Sequence, residues 1–228
     1  MPTMRITLIL ITFFIQFPSI GIATEALKSI DSNWDLKRDR DGVQVYTRNV
    51  EGSPYDAVRA TTIMENIRLS SLVALIMDAE ACSNWADRCA ESSIHEYISE
   101  TEQLIYSLND LPFPVKDRDV LTHTFWSQDP ETSAVLLESE ATNGIIEEVK
   151  GKLRLTEAKV SWNFLPQADG SIQVINEAHV NPGSAFPGWV INMLLVDTPF
   201  ETMKSFREEV TSPKYADAEF GFVTEPGK

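Results

Sequence analysis

The residues whose types could do chemistry are few: three histidines, two cysteines and one dense run of charge. His95, His123 and His179 fall on separate predicted strands, and none has the close-spaced partners of a metal site. His123 precedes Phe125 on the predicted outer face of its strand and His179 alternates with Glu177, so both read as polar strand-face residues rather than ligands. Cys82 and Cys89 surround Asn84 and Trp85 with no histidine between them. A metal would need two further ligands nearby; the pair reads as a local disulfide, with two buried free thiols as the alternative. Lys116-Asp117-Arg118-Asp119 follows Pro112-Phe113-Pro114 and leads into an alternating aromatic stretch, so it is either a catalytic centre or the base of a hinge.

Other catalytic signatures are missing from the sequence, which holds no Gly-x-Ser-x-Gly elbow, phosphate-cradling glycine loop or dinucleotide fingerprint. Ser184, between Gly183 and Ala185, reads as part of a flexible loop. Glu147-Glu148 and Glu208-Glu209 occupy adjacent positions that point apart, which suits solvated faces better than shared proton transfer. No cofactor and no metal are expected.

The elements that must position these residues alternate between two periods. Val43 to Tyr46 and Tyr55 to Met64 read as strands, and Leu69, Leu72, Val73, Ile76 and Met77 recur at helical spacing behind Ser70 and Ser71, which can cap a helix. Strands then dominate, over roughly 92–99, 103–109, 120–128, 133–140, 152–165 and 171–180, joined by turns such as Ala168-Asp169-Gly170. A long helix follows, about Trp189 to Val210, with Trp189, Met193, Val196, Phe200 and Met203 on one stripe and Pro199 set to bend it. An antiparallel meander followed by an amphipathic helix defines an α+β fold in which the helix buries its stripe on the sheet.

Composition bounds the partners. The chain has 228 residues, enough for one large domain, and a formal net charge of −15. Residues 1–23 combine Arg5, an apolar run Ile6 to Phe17 and small residues before Thr24, which reads as a signal peptide cleaved near Ala23. Its removal moves the net charge to −16, because Arg5 is its sole basic residue. Such an acidic surface repels nucleic acid and anionic head groups, but leaves room for transient membrane contact through an apolar loop. The expected organisation is a signal peptide 1–23, one domain 24–210 and a loosely held polar tail 211–228; the expected product is an exported monomer, periplasmic or secreted.

Over residues 32–210 the sequence resembles the START family of lipid-transfer domains. The resemblance rests on Trp34; Asp41-Gly42-Val43 with Val45, Tyr46 and Arg48; Arg59-Ala60; Asp78; Trp85; Pro114 with Arg118-Asp119; Arg154; Trp162 with Pro166; and Asn181-Pro182-Gly183 followed by Pro187, Trp189, Asn192 and Pro199. It implies a helix-grip fold, in which a curved sheet wraps the terminal helix and encloses an apolar tunnel under a lid. The lid candidates are loops 109–116 and 182–188, carrying Phe113 and Phe186, and the resemblance assigns Arg118 and Asp119 to anchoring the lid base. Relatives that carry a buried acid and arginine in the tunnel are matched here by Ile105 and Thr124, so their ligand specificity does not carry over.

Alternation then proposes the wall: Leu104, Tyr106 and Leu108; Thr122, Thr124 and Trp126; Val160, Trp162 and Phe164; Val174, Asn176 and Ala178; and, from the helix, Met193, Val196 and Phe200, with Asp197 or Tyr106 as a polar contact. The expected function is non-catalytic binding, transfer or sensing of a lipid or other hydrophobic ligand. The alternative is a grip-fold cyclase or hydrolase, which would need a buried titratable group, Asp197 or Tyr106. A third reading, an interaction protein whose pocket is filled by Trp126 and Trp162, predicts no cavity.

Overall fold

A computed structural model describes residues 33–184 and 186–227; the expected signal peptide lies outside them. Among the described residues ten strands form one sheet, antiparallel except at β8: β1 Asp35–Arg40, β2 Val43–Arg48, β3 Ala57–Met64, β4 Cys89–Ser99, β5 Glu102–Asn109, β6 Arg118–Gln128, β7 Val135–Ala141, β8 Leu153–Arg154, β9 Glu157–Pro166 and β10 Ile172–Asn181. The order across the sheet is β1-β2-β3-β10-β9-β7-β6-β5-β4, with the two-residue β8 lying parallel to the start of β6. Closure of β3 onto β10 joins the first strands to the last, and the curved sheet grips the terminal helix.

The terminal helix has three parts: Gly188–Asn192, a wide π turn Met193–Asp197 and Thr198–Glu209. Pro199 sits at the start of the last part, where its missing N–H and ring are tolerated, and the π turn absorbs the break expected there. Downstream, Phe200, Met203, Phe206 and Val210 repeat at three- and four-residue spacing and are fully buried. Phe206 packs 5.3 Å from Trp85 and 4.9 Å from Trp162, centroid to centroid, and Trp85 meets Trp162 edge-on at 5.8 Å. Each such ring contributes about 1.5–3 kcal/mol through burial, so this knot fixes the helix to the sheet.

Four features depart from the sequence reading. β1 carries charge at five of its six positions and has no apolar alternation, yet it pairs with β2 as an edge strand. It is held by the Asp41-Gly42 turn, both of whose φ angles are positive, as a two-residue hairpin turn requires. The stretch 152–165 is two strands, not one, because Arg154 turns aside to reach Asp119. Ser70 and Ser71 lie inside the first turn of the helix Leu69–Met77, and the cap comes from the other end of the chain: Glu225 accepts from the N–H groups of Leu69 and Ser70, each at 3.0 Å.

That last contact overturns the expectation of a loosely held tail. After the helix, Tyr215 is buried and donates to Asp78 at 2.8 Å. Gly221 N–H donates to Glu100, Thr224 exchanges two hydrogen bonds with Gln128, and Phe222 packs 6.2 Å from Trp126. Two aromatics and one acid, spread over 215–225, tie the segment down without any periodic pattern.

Candidate functional site

Between the sheet and the helix lies a cavity of about 530 Å³, predominantly apolar in its lining. Its volume is in the range of small-molecule sites. Strand alternation sets its wall: β6 contributes Arg118, Val120, Thr122, Thr124 and Trp126; β7 Leu137 and Ser139; β9 Ala158, Val160 and Trp162; β10 Ala178 and Val180. Ile191, Leu194, Leu195 and Thr198 face it from the terminal helix. Cys82 and Cys89 also border it and are joined by a disulfide, with Cα atoms 6.0 Å apart. The third reading of the sequence fails here, since Trp126 and Trp162 line the cavity without filling it.

The sequence-chosen residues divide. Thr124, Trp126, Trp162 and Phe186 line the cavity. Tyr106 and Leu108 do not: β5 turns its other face inward, presenting Gln103, Ile105, Ser107 and Asn109. Register explains the correction, because directly paired residues share a face, and Gln103 lies opposite Thr124 while Tyr106 lies opposite Leu121 and Leu108 opposite Asp119. Both faces of β5 are covered, Leu104 and Gln103 alike being buried, so its hydrophobic alternation marks the wrong side.

On the helix, Met193, Val196 and Phe200 do not reach the cavity either. The stripe extrapolated at α-helical pitch loses its phase at the π turn. Phe200 instead lies beneath Arg38 and Arg40, 4.9 and 4.8 Å from its ring, and Asp197 pairs outside the cavity with Arg38 at 2.6 Å. Phe164 is core, stacked on Phe206. Asn176 spends its amide on the Ser161 carbonyl at 3.1 Å. Phe113 is 94% exposed and is not among the residues that line the cavity.

Two loops cover one end, and the charged run lies at their base. The Arg118 side chain lies in the cavity wall and donates to Pro182 O at 3.2 Å, Ser184 Oγ at 2.9 Å and Lys116 O, with its guanidinium 4.7 Å from the Phe186 ring. Burial lowers its pKa and Asp117 works against this, but a guanidinium stays charged. Gly183 permits the close approach: its φ is +75°, and a Cβ there would meet Leu153 Cδ2 at 2.7 Å. Asp119 faces the other way and is fully buried against Arg154 at 2.8 Å. Asp117 accepts from Lys152 and from Leu111 N–H at 3.1 Å, and these bonds hold its pKa below the usual carboxylate value. One run of four residues thus touches both loops and the 142–153 connection.

Away from the loops, beside the apolar Trp126, Leu137 and Trp162, the lining carries polar groups without charge. Gln103 is 1% exposed, and neither its Oε1 nor its Nε2 has a hydrogen-bond partner. Across from it Thr124 and Ser139 are bonded hydroxyl to hydroxyl at 2.5 Å, and nearer the loops, where Ser107 pairs with Val120, Ser92 bonds Ser107 at 3.0 Å. An unpaired buried amide group costs about 1–3 kcal/mol. Sequence reasoning missed Gln103, and a register drawn from Thr124 would have found it.

The START domain family model matches residues 24–214, and the chain belongs to that family. It is 31% identical over 187 residues to an uncharacterized protein of Pseudomonas aeruginosa, covering 82% of this chain and 90% of that one. The crystal structure of a STAR-related lipid transfer protein fragment from Xanthomonas axonopodis superposes with a TM-score of 0.71 at 32% identity, covering 79% of this chain and 99% of that one. Human StAR-related lipid transfer protein 5 shares the fold, with a TM-score of 0.70 at 13% identity, covering 83% and 93% of the two chains. Family membership implies binding of a lipid or other hydrophobic ligand.

Proposed function

We propose that this protein is a non-catalytic, monomeric carrier or sensor that holds one hydrophobic molecule in the cavity and exchanges it through the opening beneath loops 109–116 and 182–188. The observation that carries the reading is the apolar cavity of about 530 Å³ beside loops tied to one guanidinium. Burial contributes about 0.8 kcal/mol per methylene, so a chain of ordinary lipid length binds there with few polar contacts. Thr124, Trp126, Trp162 and Phe186 are wall contacts for the ligand, and Arg118 is the latch of the lid. Against a cyclase or hydrolase stands the position of its two candidate groups, Asp197 and Tyr106, both outside the cavity lining. Export, to a periplasm or to the exterior, is supported by the character of residues 1–23 and by the disulfide.

The lid end also carries the apolar surface for transient membrane contact. Phe113, in the first loop, and Trp189, just after the second, are 94% and 53% exposed, and Ile145 and Val149 are exposed on the connection between β7 and β8. With a net charge of −15 on the chain, the suitable surface is zwitterionic rather than anionic. Phe113→Ser with Trp189→Ser is expected to abolish co-sedimentation with phosphatidylcholine vesicles while leaving thermal stability within a degree or two.

Native mass spectrometry of the mature protein purified from its own compartment, followed by extraction, tests the central reading. The expected result is a monomer with one bound lipid-like molecule that is lost from Ala178→Phe, a variant that fills the cavity. A clean unliganded mass with no uptake from a lipid mixture would remove carriage and direct attention to enzymatic substrates.

A further inference from the structure

The cavity carries polar groups towards both ends within its apolar lining, but of different kinds. At the lid end stand Arg118 and the Asp87–Arg88 pair, all with partners inside the protein. Thr124 lies six residues along β6 from Arg118, roughly 20 Å away in extended chain. There the lining offers the Gln103 amide and the hydroxyls of Thr124 and Ser139, with no carboxylate or basic group among them.

The hydrogen-bond inventory of that end is incomplete. Two hydroxyls bonded to each other use one of their two protons, so the Thr124–Ser139 pair keeps one to donate. Gln103 keeps both amide hydrogens and its carbonyl acceptor, none engaged by the protein. Buried amides in folded proteins are satisfied as a rule. A rigid strand position, fixed by pairing to Thr124 on one side and Tyr97 on the other, prevents Gln103 from turning to solvent.

We propose that Gln103, with the Thr124–Ser139 hydroxyl pair, is the docking point for an uncharged oxygen-bearing head, an alcohol or a carbonyl, on a ligand that enters head first. The inference rests on the carrier reading and deepens it by naming the ligand class: a neutral amphiphile with one compact polar group. A hydroxyl is matched on both counts, donating to Gln103 Oε1 and accepting from Nε2. A carboxylate is rejected at this end because no cation there would offset its desolvation.

The test uses dodecanol and dodecane, delivered from cyclodextrin to the mature protein and followed by tryptophan emission, since Trp85, Trp126 and Trp162 border the cavity. Gln103→Met keeps the length of the side chain and removes its donors and acceptor. The expected result is about tenfold weaker binding of dodecanol, the loss of one net hydrogen bond, with dodecane unchanged or tighter. The unliganded variant should melt at the same or a higher temperature, which a structural amide would not allow. Equal loss for both probes, or no loss for either, would overturn the proposal while leaving the carrier intact. Failure of the unaltered protein to bind either probe would overturn both. Gln103→Leu, checked by circular dichroism, serves if the methionine variant does not fold.

Discussion

At the scale of single residues, the two neighbours Arg118 and Asp119 do different work although both are buried. Arg118 faces the cavity and holds atoms of both covering loops; Asp119 faces outward and neutralises Arg154. Arg118→Gln is therefore expected to speed ligand release about tenfold, the loss of about 1.4 kcal/mol of latch, in a stopped-flow displacement experiment. Asp119→Ala leaves a buried guanidinium without its counter-charge, and chemical denaturation should register a loss of about 3 kcal/mol. An unaltered release rate in the first variant would remove the latch. The pairing Arg118-Asp119 was visible in the sequence as a hinge base, but a strand sends adjacent side chains to opposite faces, and only the fold reveals what each face meets.

At the scale of elements, the disulfide and the terminal helix decide how firmly the cavity wall stands. Cys82 and Cys89 close a loop of eight residues, for which chain entropy gives about 2.5 kcal/mol. Cys82→Ser with Cys89→Ser is expected to lose that amount in urea denaturation, and the reduced wild-type protein should match it. The π turn is the element whose effect the sequence hides most. Leu69–Met77 and, on the terminal helix, the buried Phe200 and Met203 were legible because α-helical spacing repeats over several turns, whereas Phe206 and Val210, which continue that face, were not singled out. Met193 and Val196 were assigned inward by the same rule, and one widened turn cancels it.

At the scale of the whole molecule, the last residues close on the first helix. Glu225 caps Leu69–Met77 across more than 150 residues of sequence and is paired with Arg68 at 3.5 Å. Burial of its carboxyl works to raise the pKa, but hydrogen bonds from Ser70 and Leu69, with Arg68, outweigh it and leave the pKa lowered. A group whose pKa is lower when folded adds stability above its unfolded value and loses it as pH falls through the folded value. The tail should accordingly detach in acid, below the usual glutamate range near pH 4. Hydrogen exchange at Leu69 and Ser70 should rise there, and Glu225→Gln should flatten that pH dependence and cost about 1 kcal/mol at neutral pH. Deleting 211–228 should in addition uncover Trp126, against which Phe222 packs.

The sequence by itself determined the antiparallel strands, the terminal helix, the family and the place of the charged run 116–119 at the base of a loop, because each is written in local periodicity or in ordered, spaced residues. Tertiary structure decided which face of β5 meets the cavity, where the helix stripe breaks and where the tail goes. Those depend on strand register, on one irregular turn and on contacts between residues far apart, and hydrophobic alternation carries no record of any of them. For that reason Thr124, Trp126 and Trp162 were found and Gln103 was not: alternation favours apolar positions, whereas the amide that sits opposite Thr124 is identified only by pairing.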